Sequence, residues 1–357
     1  MKKFFTPFFA FLFSILSLST GACTMKGDSY SLSSFGSPVY IEVYDKTLTD
    51  KVKGDISSLL FSLENEFSIN NENSVVYKIN NNIPYSLSKR AIEVFSLSKY
   101  YWDFTNKKFN PAVYPLNKLW RFGAGNQVEN KDFVPPTQDR INQILDSGVL
   151  DFSTFNVKDN QAVKGHANQQ IDLGGILKGY ATDLVMDLLL ENGYTSGYVS
   201  MGSSSICLLN TEKLAIRHPL DKSKLILTLD TSDMHNVSVS TSGDYEKYYD
   251  YNGKRYSHII DASIGAPYDT GIKSATVICK DGSFADSLTT ALCLSKYNPN
   301  DISNCELIHL IKKILEKYKD ASVYAIYERD GVREIITNKQ INKDFSLLDQ
   351  SFTIKNI

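Results

Sequence analysis

The stretch QIDLGGILKGYATD, residues 170–183, constrains the fold and the chemistry of this chain more than any other part of its sequence. Two adjacent glycines precede a segment whose apolar residues recur at helical spacing, so the pattern predicts a tight turn followed by a helix. Glycine lets the backbone approach a ligand closely, and the free amides at a helix start favour an anion. Asp172 and Lys178 stand on either side of the glycines. We therefore predict an anion-binding turn, while a tight turn packed for structural reasons alone remains the alternative.

The overall composition is typical of a globular protein without a nucleic-acid partner. Of the 357 residues, 12% are aromatic and 22% are charged, and the formal net charge is −2. A polyanion partner would need clustered lysine and arginine, and the sequence has no such cluster. We therefore expect no nucleic acid among the partners of this chain.

The N-terminus has the pattern of an export signal. Two lysines precede the apolar run FFTPFFAFLFSILSLS, which is too short for an ordinary membrane anchor. Cys23 follows two small residues, as in a lipoprotein cleavage site. We predict a signal peptide over 1–22, lipid attachment at Cys23, a tether over 23–34 and one folded domain over 35–357.

The same pattern predicts where the protein resides. A lipid on the cysteine would anchor the chain to a bacterial membrane, with the body facing the periplasm or the exterior. Plain secretion and an uncleaved anchor remain alternatives, and all three place the body outside the cytoplasm.

Strand and helix patterns follow each other without strict alternation, which predicts the α+β class. Residues 48–66, 88–104 and 138–146 have helical apolar spacing, and SVYAIYE with REIITN is typical of a hairpin that closes a sheet. An exported compartment permits disulfides. The four cysteines after Cys23 nevertheless lack C-x-x-C spacing, and we interpret them as buried small hydrophobic residues.

Two further segments carry candidate catalytic chemistry. Residues 240–267, STSGDYEKYYDYNGKRYSHIIDASIGAP, combine a Ser/Thr/Gly turn with aromatic residues and His258. Residues 282–292, GSFADSLTTAL, place Asp286 and Thr290 four positions apart on one helix face. These oxygens suit Mg²⁺, which takes few protein ligands and keeps waters or substrate phosphates. For each residue considered alone, a structural role is the alternative: His258 as a structural histidine, and Asp286 as an acidic residue near a helix N-terminus.

Together these segments resemble the ApbE family of flavin transferases, in order along nearly the whole mature chain. The matching segments are FGSPVYIEVY, FSINNENSVVYKIN, FNPAVYPLNKLWRFG, IDLGGILKGYATD, STSGDYEKYY, SHIIDASIGAP and ADSLTTAL. The resemblance implies a single α+β, T-fold-like domain with mixed sheets flanked by helices. It also implies Mg²⁺-dependent cleavage of the FAD pyrophosphate, transfer of FMN to a Ser/Thr hydroxyl of an exported electron-transfer flavoprotein, and release of AMP.

The resemblance also implies roles for individual residues. The residues expected to bind the flavin nucleotide are Phe35, Asn70, Lys108, Phe109, Asn110, Asp172, Lys178 and Ile260. The expected Mg²⁺ ligands are the Gly175 carbonyl and the side chains of Asp286, Thr289 and Thr290. His258 is expected to transfer a proton, and Asp286 to be essential for catalysis. We further expect Asp286 to be exposed, so that its replacement by alanine leaves folding largely intact.

Several places depart from the family pattern. The turn Asp261-Ala262-Ser263-Ile264-Gly265 lacks the usual proline and threonine, and Asn110 stands where an aspartate is common. Asn70 stands where many relatives have a tyrosine that can stack on the nucleotide. Because base–aromatic stacking is worth ~1–3 kcal/mol in nucleic-acid systems, its absence predicts loosely held FAD and room for water. A solvent-facing loop residue is the alternative for Asn70.

Three functions therefore compete. The leading hypothesis is FMN transfer to a protein, and the second is an FAD pyrophosphatase in which water replaces the protein hydroxyl, alone or as a second activity. The third is a non-catalytic FAD-binding lipoprotein, which the intact Asp172, Asp286 and Thr290 disfavour.

Overall fold

The computed structural model describes residues 27–123, 127–210, 213–341 and 343–357. The predicted signal peptide and Cys23 lie outside these residues. Within the described parts of the chain, no helix combines the length and the apolar character needed to cross a membrane.

Eight helices are described. They are α1 (Asp50–Phe67), α2 (Val75–Asn80), α3 (Lys89–Phe104), α4 (Tyr114–Leu119), α5 (Gln138–Asp146), α6 (Leu177–Glu191), α7 (Gly282–Cys293) and α8 (Glu306–Lys317). The three helices predicted from periodicity are confirmed as α1, α3 and α5. Hydroxyl caps explain the sharp starts of α1 and α3, because the Thr49 and Ser88 side chains accept hydrogen bonds from first-turn amides.

Eighteen strands are described, several of them short. They are β1 (Asp28–Ser34), β2 (Ser37–Val43), β3 (Asn156–Lys158), β4 (Gln161–Val163), β5 (Gly197–Met201), β6 (Ser205–Asn210), β7 (Lys213–Arg217), β8 (Leu225–Asp230), β9 (His235–Gly243), β10 (Tyr248–Tyr251), β11 (Lys254–Ser257), β12 (Ile260–Asp261), β13 (Ala266–Pro267), β14 (Ile272–Cys279), β15 (Ser322–Arg329), β16 (Val332–Thr337), β17 (Phe345–Leu347) and β18 (Thr353–Asn356). The predicted closing hairpin is confirmed as the antiparallel pair of β15 and β16.

A nine-stranded sheet organises the molecule, in the order β1-β2-β5-β6-β9-β14-β15-β16-β18. Its neighbours pair antiparallel except β16 and β18, which are parallel. Side chains alternate between its faces, so Val277 joins the apolar cluster under the helices while Ile278 joins the cluster under the small sheet β17-β8-β7. Helices therefore cover one face, and a second sheet covers the other.

A third apolar cluster forms a lobe beside the main sheet. It joins α4 and α5 to the short strands β10 and β12 through Leu116, Trp120, Phe133, Ile141, Tyr249 and Ile260. The lobe holds the segment that carries His258. The four cysteines after Cys23 are free and buried, which confirms their interpretation as small hydrophobic residues.

The prediction that residues 23–34 form a tether is wrong for residues 28–34, which form the edge strand β1. This strand pairs along its whole length with β2. Tyr30 and Leu32 pack against the helix-side cluster, and the alternating serines Ser29, Ser31 and Ser33 are exposed. An edge strand with one buried face needs only these two apolar side chains, so its composition resembled that of a linker.

Candidate active site

The anion-binding turn predicted at residues 170–183 lies where α6 begins. The Asp172 carboxylate accepts hydrogen bonds from the Gly174 amide at 2.8 Å and from Asn117 Nδ2 at 3.0 Å. Lys178 Nζ donates to the Gly174 carbonyl at 3.1 Å and lies 3.5 Å from Asp286 Oδ2. The lysine thus connects the start of α6 with α7, and two of the predicted segments meet.

Gly175 lies in close contact with two other predicted residues. A Cβ atom at this position would lie 3.2 Å from Phe109 Cε2 and 3.8 Å from Thr290 Oγ1. The Gly175 carbonyl accepts a hydrogen bond from Ser287 Oγ at 3.3 Å. Residues distant in sequence therefore meet around one backbone carbonyl, and a side chain at position 175 would press on the Phe109 ring.

Asp286 is only 4% exposed, so the expectation that it is exposed is wrong. Its Oδ2 accepts a hydrogen bond from the Gly179 amide of α6 at 3.2 Å. The physical reason is the close crossing of the two helices, since a Cβ at Gly179 would lie 2.0 Å from the Gly282 carbonyl oxygen. Gly179 therefore serves helix packing, while its amide holds the carboxylate.

A chain of hydroxyl groups continues from Asp286. Thr289 Oγ1 donates to the Asp286 carbonyl at 2.9 Å and lies 2.8 Å from Ser242 Oγ, which lies 3.4 Å from Thr290 Oγ1. Because each hydroxyl has one proton, Ser242 donates to Thr289 and accepts from Thr290. Both lone pairs of the Thr290 oxygen are then free for a cation. Sequence reasoning missed Ser242, since nothing in the STSG segment distinguishes one hydroxyl from the next.

The donor set at the crossing fits Mg²⁺. The Asp286 carboxylate, the Thr290 hydroxyl and the Gly175 carbonyl are hard oxygen donors, and a single carboxylate suits an ion that keeps waters and phosphates. Among the described residues, no group of three or more His, Cys, Asp and Glu side chains could hold a metal.

His258 is held by the base of the hairpin formed by β10 and β11. Its backbone amide and its ring Nδ1 lie 2.9 Å and 3.1 Å from the Lys247 carbonyl oxygen. A carbonyl only accepts, so Nδ1 carries the proton and Nε2 keeps a free lone pair. Burial, together with the charges of Lys247 and Lys178, lowers the pKa of His258 to about 4. The ring is therefore neutral at pH 7 and can accept a proton.

The segment Lys108-Phe109-Asn110 contacts the site through its middle residue. Lys108 Nζ lies 3.3 Å from Asp261 Oδ2 and 3.3 Å from Glu306 Oε2. Asn110 accepts from the Ala112 amide and donates to the Leu150 carbonyl, each at 2.9 Å. An aspartate could not make the second bond, which accounts for asparagine at this position.

The turn after His258 stays closed without the family's proline and threonine. The Asp261 carboxylate accepts from the Ser263 amide at 2.8 Å and from the Ser263 hydroxyl at 2.6 Å. Gly265 supplies a φ of 69°, which the turn requires. Ile260 is buried in the lobe, where its side chain packs against the third apolar cluster.

Phe35 and Asn70 lie apart from these contacts. Phe35 and Gly36, with φ values of 50° and 66°, form the turn between β1 and β2. Asn70 is exposed, and its amide donates to Ser68 Oγ at 3.3 Å. Within the described residues, no hydrogen bond or ion pair joins either side chain to the α6–α7 crossing.

Comparison with known proteins gives consistent similarities. A family model described as the ApbE family matches residues 35–300. The chain is 31% identical over 274 residues to a protein of Klebsiella pneumoniae (strain 342) named FAD:protein FMN transferase, a match that covers 74% of this chain and 81% of the relative.

Solved structures share the fold. The flavin transferase ApbE from Vibrio cholerae superposes with a TM-score of 0.71 at 23% identity, over 85% of this chain and 94% of that one. An ApbE protein from Thermotoga maritima gives a TM-score of 0.70 at 24% identity, over 84% and 94% of the two chains. The α+β class predicted from the sequence is confirmed.

Proposed function

The chain belongs to the ApbE family, and we propose that it transfers FMN from FAD to a Ser or Thr hydroxyl of an exported target flavoprotein, with Mg²⁺ and with release of AMP. Relatives named FAD:protein FMN transferase make it a transferase enzyme that acts on a flavin. The metal, the acceptor hydroxyl and the AMP product are the parts that we propose.

The observation that carries the proposal is the crossing of α6 and α7. It brings the Lys178 ammonium within 3.5 Å of the Asp286 carboxylate, beside the Gly175 carbonyl and the Thr290 hydroxyl. Phosphoryl transfer needs charge neutralisation and positioning more than covalent chemistry by the protein. A cation, a carboxylate and hard oxygen donors at a glycine turn meet that need.

In the proposed reaction, the acceptor hydroxyl oxygen bonds to the FMN phosphorus. The bond between this phosphorus and the bridging oxygen breaks, and AMP leaves with that oxygen. His258 Nε2 takes the hydroxyl proton, and Lys178 faces the phosphate oxygens. Mg²⁺ held by Gly175, Asp286 and Thr290, with Thr289 orienting the hydroxyls, would neutralise charge on the leaving group. Asp172 keeps the Gly174 turn open to the nucleotide.

The test uses the purified protein with FAD, Mg²⁺ and an exported flavoprotein as acceptor. We expect one equivalent of AMP per FMN mass added to the acceptor, measured by chromatography and mass spectrometry. An acceptor whose modified hydroxyl residue is replaced by valine or alanine is the matched control. AMP release without any mass gain on the acceptor would contradict transfer and support hydrolysis.

Hydrolysis of FAD to FMN and AMP is the second candidate. Its support is the resemblance to the family, because the exposed Asn70 stands where many relatives have a tyrosine that can stack on the nucleotide. Incubation of FAD and Mg²⁺ without acceptor separates the hypotheses. Multiple turnovers of AMP support hydrolysis, and bound but unchanged FAD supports a non-catalytic flavin-binding protein.

We also propose that the protein is exported and held at a bacterial membrane through a lipid on Cys23. The support is the lysine pair, the apolar run and the small residues before the cysteine. This placement gives the enzyme access to exported electron-transfer flavoproteins, which are the proposed acceptors.

A further inference from the structure

Asp183 lies in the middle of α6 on the side that faces the start of α7. Its Oδ2 accepts hydrogen bonds from the Gly282 amide at 2.7 Å and from the Ser283 amide at 3.4 Å. Its Oδ1 accepts from the Ser238 hydroxyl at 2.5 Å and from the Cys207 thiol at 3.4 Å. One carboxylate thus joins α6 to the first turn of α7 and to the strands β6 and β9.

The two helices are connected at two successive levels. At the first, Asp183 binds the Gly282 amide, and a Cβ at Gly282 would lie 2.5 Å from Asp183 Oδ1. One turn earlier on α6, the Gly179 amide donates to Asp286 Oδ2 at 3.2 Å. The first-turn amides of α7 have no partner inside their own helix, so Asp183 supplies partners that the fold otherwise lacks at this crossing.

The surroundings of Asp183 disfavour its charge. Burial, together with the nearby Asp281 carboxylate, raises the pKa of Asp183 to about 7, although the bonds from Ser238, Gly282 and Cys207 oppose the shift. Burial and, in addition, the Asp183 charge in turn raise the pKa of two neighbouring thiols, Cys207 on β6 and Cys279 on β14. Protonation would turn one acceptor oxygen into a donor and so change how the carboxyl group holds α7.

We propose that Asp183 is a positioning residue that sets the crossing of α6 on α7. Through this crossing it fixes the place of Gly175 and Lys178 relative to Asp286 and Thr290. The inference rests on the proposed function, because it assigns those four residues to the nucleotide and its metal. Asp183 itself touches none of them. Groups that orient metal ligands typically contribute 10–100-fold to metal affinity or activity, which sets the scale of the expected effect.

The test replaces Asp183 by asparagine, which keeps the shape of the side chain but loses the ionised acceptor. AMP release from FAD is measured over a range of Mg²⁺ concentrations and pH values, and Mg²⁺ binding to the FAD-free protein is measured by calorimetry. We expect Asp183→Asn to raise the KM for Mg²⁺ and weaken calorimetric Mg²⁺ binding roughly tenfold or more, with a much smaller fall in kcat.

The pH profile gives a second readout. In the wild type, the KM for Mg²⁺ should rise as the pH falls through about 7, and Asp183→Asn should lack this step. Asp187→Asn, one turn further along α6 and exposed, is the matched control and should leave both quantities unchanged. Ser238→Ala keeps the carboxylate and should shift the KM for Mg²⁺ in the same direction by less.

The outcomes separate the two proposals. An unchanged KM for Mg²⁺ with activity lost only in proportion to unfolded protein would reduce Asp183 to a stabilising residue and overturn the inference. If Asp183→Asn does not fold, an unchanged Mg²⁺ dependence in Ser238→Ala overturns it equally. A wild type that releases no AMP refutes the proposed function instead, and calorimetric Mg²⁺ affinities of the variants then still decide the role of Asp183.

Discussion

The proton on His258 is directed away from the open side of the ring, because Nδ1 donates to the Lys247 carbonyl. Because its pKa of about 4 lies below the ordinary value of 6.5, the ring is neutral at pH values above about 5. We predict that His258→Ala lowers FMN transfer by ~10²–10⁴-fold. The measurement is the pH–rate profile of AMP release, in which the wild type loses activity near pH 4 and the variant has no such step.

The same shift in pKa has a consequence for stability. A histidine whose folded pKa lies below its unfolded value is protonated more readily in the unfolded chain. Its contribution is complete above about pH 6.5 and is lost as the pH falls toward 4. A profile of unfolding against pH that is identical in wild type and His258→Ala would contradict this.

Asp286 makes structural contacts in addition to its proposed role in catalysis. We predict that Asp286→Ala abolishes AMP release and also lowers the free energy of unfolding by ~1–3 kcal/mol, because the buried Gly179 amide loses its acceptor and Lys178 loses its partner. Asp286→Asn, which keeps the shape, should be equally inactive but less destabilised. Chemical denaturation and Mg²⁺-dependent activity measure the two effects. Near wild-type turnover at limiting Mg²⁺ would refute the metal assignment.

Asn70 tests whether the loop after α1 reaches the nucleotide. We predict that Asn70→Tyr tightens FAD binding roughly ten- to a hundredfold through stacking worth ~1–3 kcal/mol, and slows hydrolysis relative to transfer. FAD affinity by fluorescence and AMP release without acceptor are the measurements. If FAD affinity and AMP release are both unchanged, Asn70 does not contact the nucleotide and is a solvent-facing residue, in agreement with its exposure.

At the scale of residues, the sequence identified charged groups better than their surroundings. Lys178 and Asp286 were both selected from sequence motifs, but only the structure places them 3.5 Å apart. The burial of Asp286 could not be predicted, because helical spacing says which residues share a face but not what covers it. Ser242 and Asp183 were missed for a related reason, since their roles depend on partners from other strands and helices.

At the scale of elements, the crossing of α6 and α7 depends on two glycines. We predict that Gly179→Ala pushes the helices apart, since its Cβ would lie 2.0 Å from the Gly282 carbonyl oxygen. Overpacking of this kind costs ~1–3 kcal/mol or more, and AMP release should fall because Lys178 and Asp286 separate. Thermal unfolding and the KM for Mg²⁺ are the measurements.

The matched control for this prediction is Gly54→Ala in α1. A Cβ at Gly54 has no atom within 4 Å, and alanine is favoured over glycine inside a helix by ~0.5–1 kcal/mol. This variant should be neutral or more stable. If both glycine variants have the same stability and activity, the close contact of α6 with α7 is not the reason for glycine at position 179.

Helices were predicted more accurately than strand order. Capping residues and apolar spacing are local, so the bounds of α1 and α3 follow from a few adjacent positions. The pairing of β2 with β5 joins segments that six helices separate along the chain. Such pairings depend on contacts that no local pattern encodes, and the same limit led to the assignment of β1 to a tether.

At the scale of the whole molecule, the ordered series of motifs identified the family, and the α+β class followed with it. Both are confirmed by the family model and the solved structures.

The predicted membrane attachment of the whole molecule depends on one side chain, the Cys23 thiol. We predict that Cys23→Ala moves the protein from the membrane fraction to the soluble exported fraction, as measured by fractionation and immunoblotting. Unchanged membrane retention with an intact N-terminus would indicate an uncleaved signal anchor.

If Cys23 carries a lipid, as we propose, the early start of β1 limits how far the enzyme extends from the membrane. Residues 24–27 alone separate Cys23 from the first residue of the strand, Asp28. At ~3.3–3.6 Å per extended residue, such a linker spans at most about 15 Å, which is less than the width of a typical domain. The folded domain would stay next to the membrane surface and would not extend far from it. Membrane-bound acceptors would then encounter the enzyme by lateral diffusion at a high effective concentration. Soluble acceptors would have to diffuse to the membrane surface to be modified.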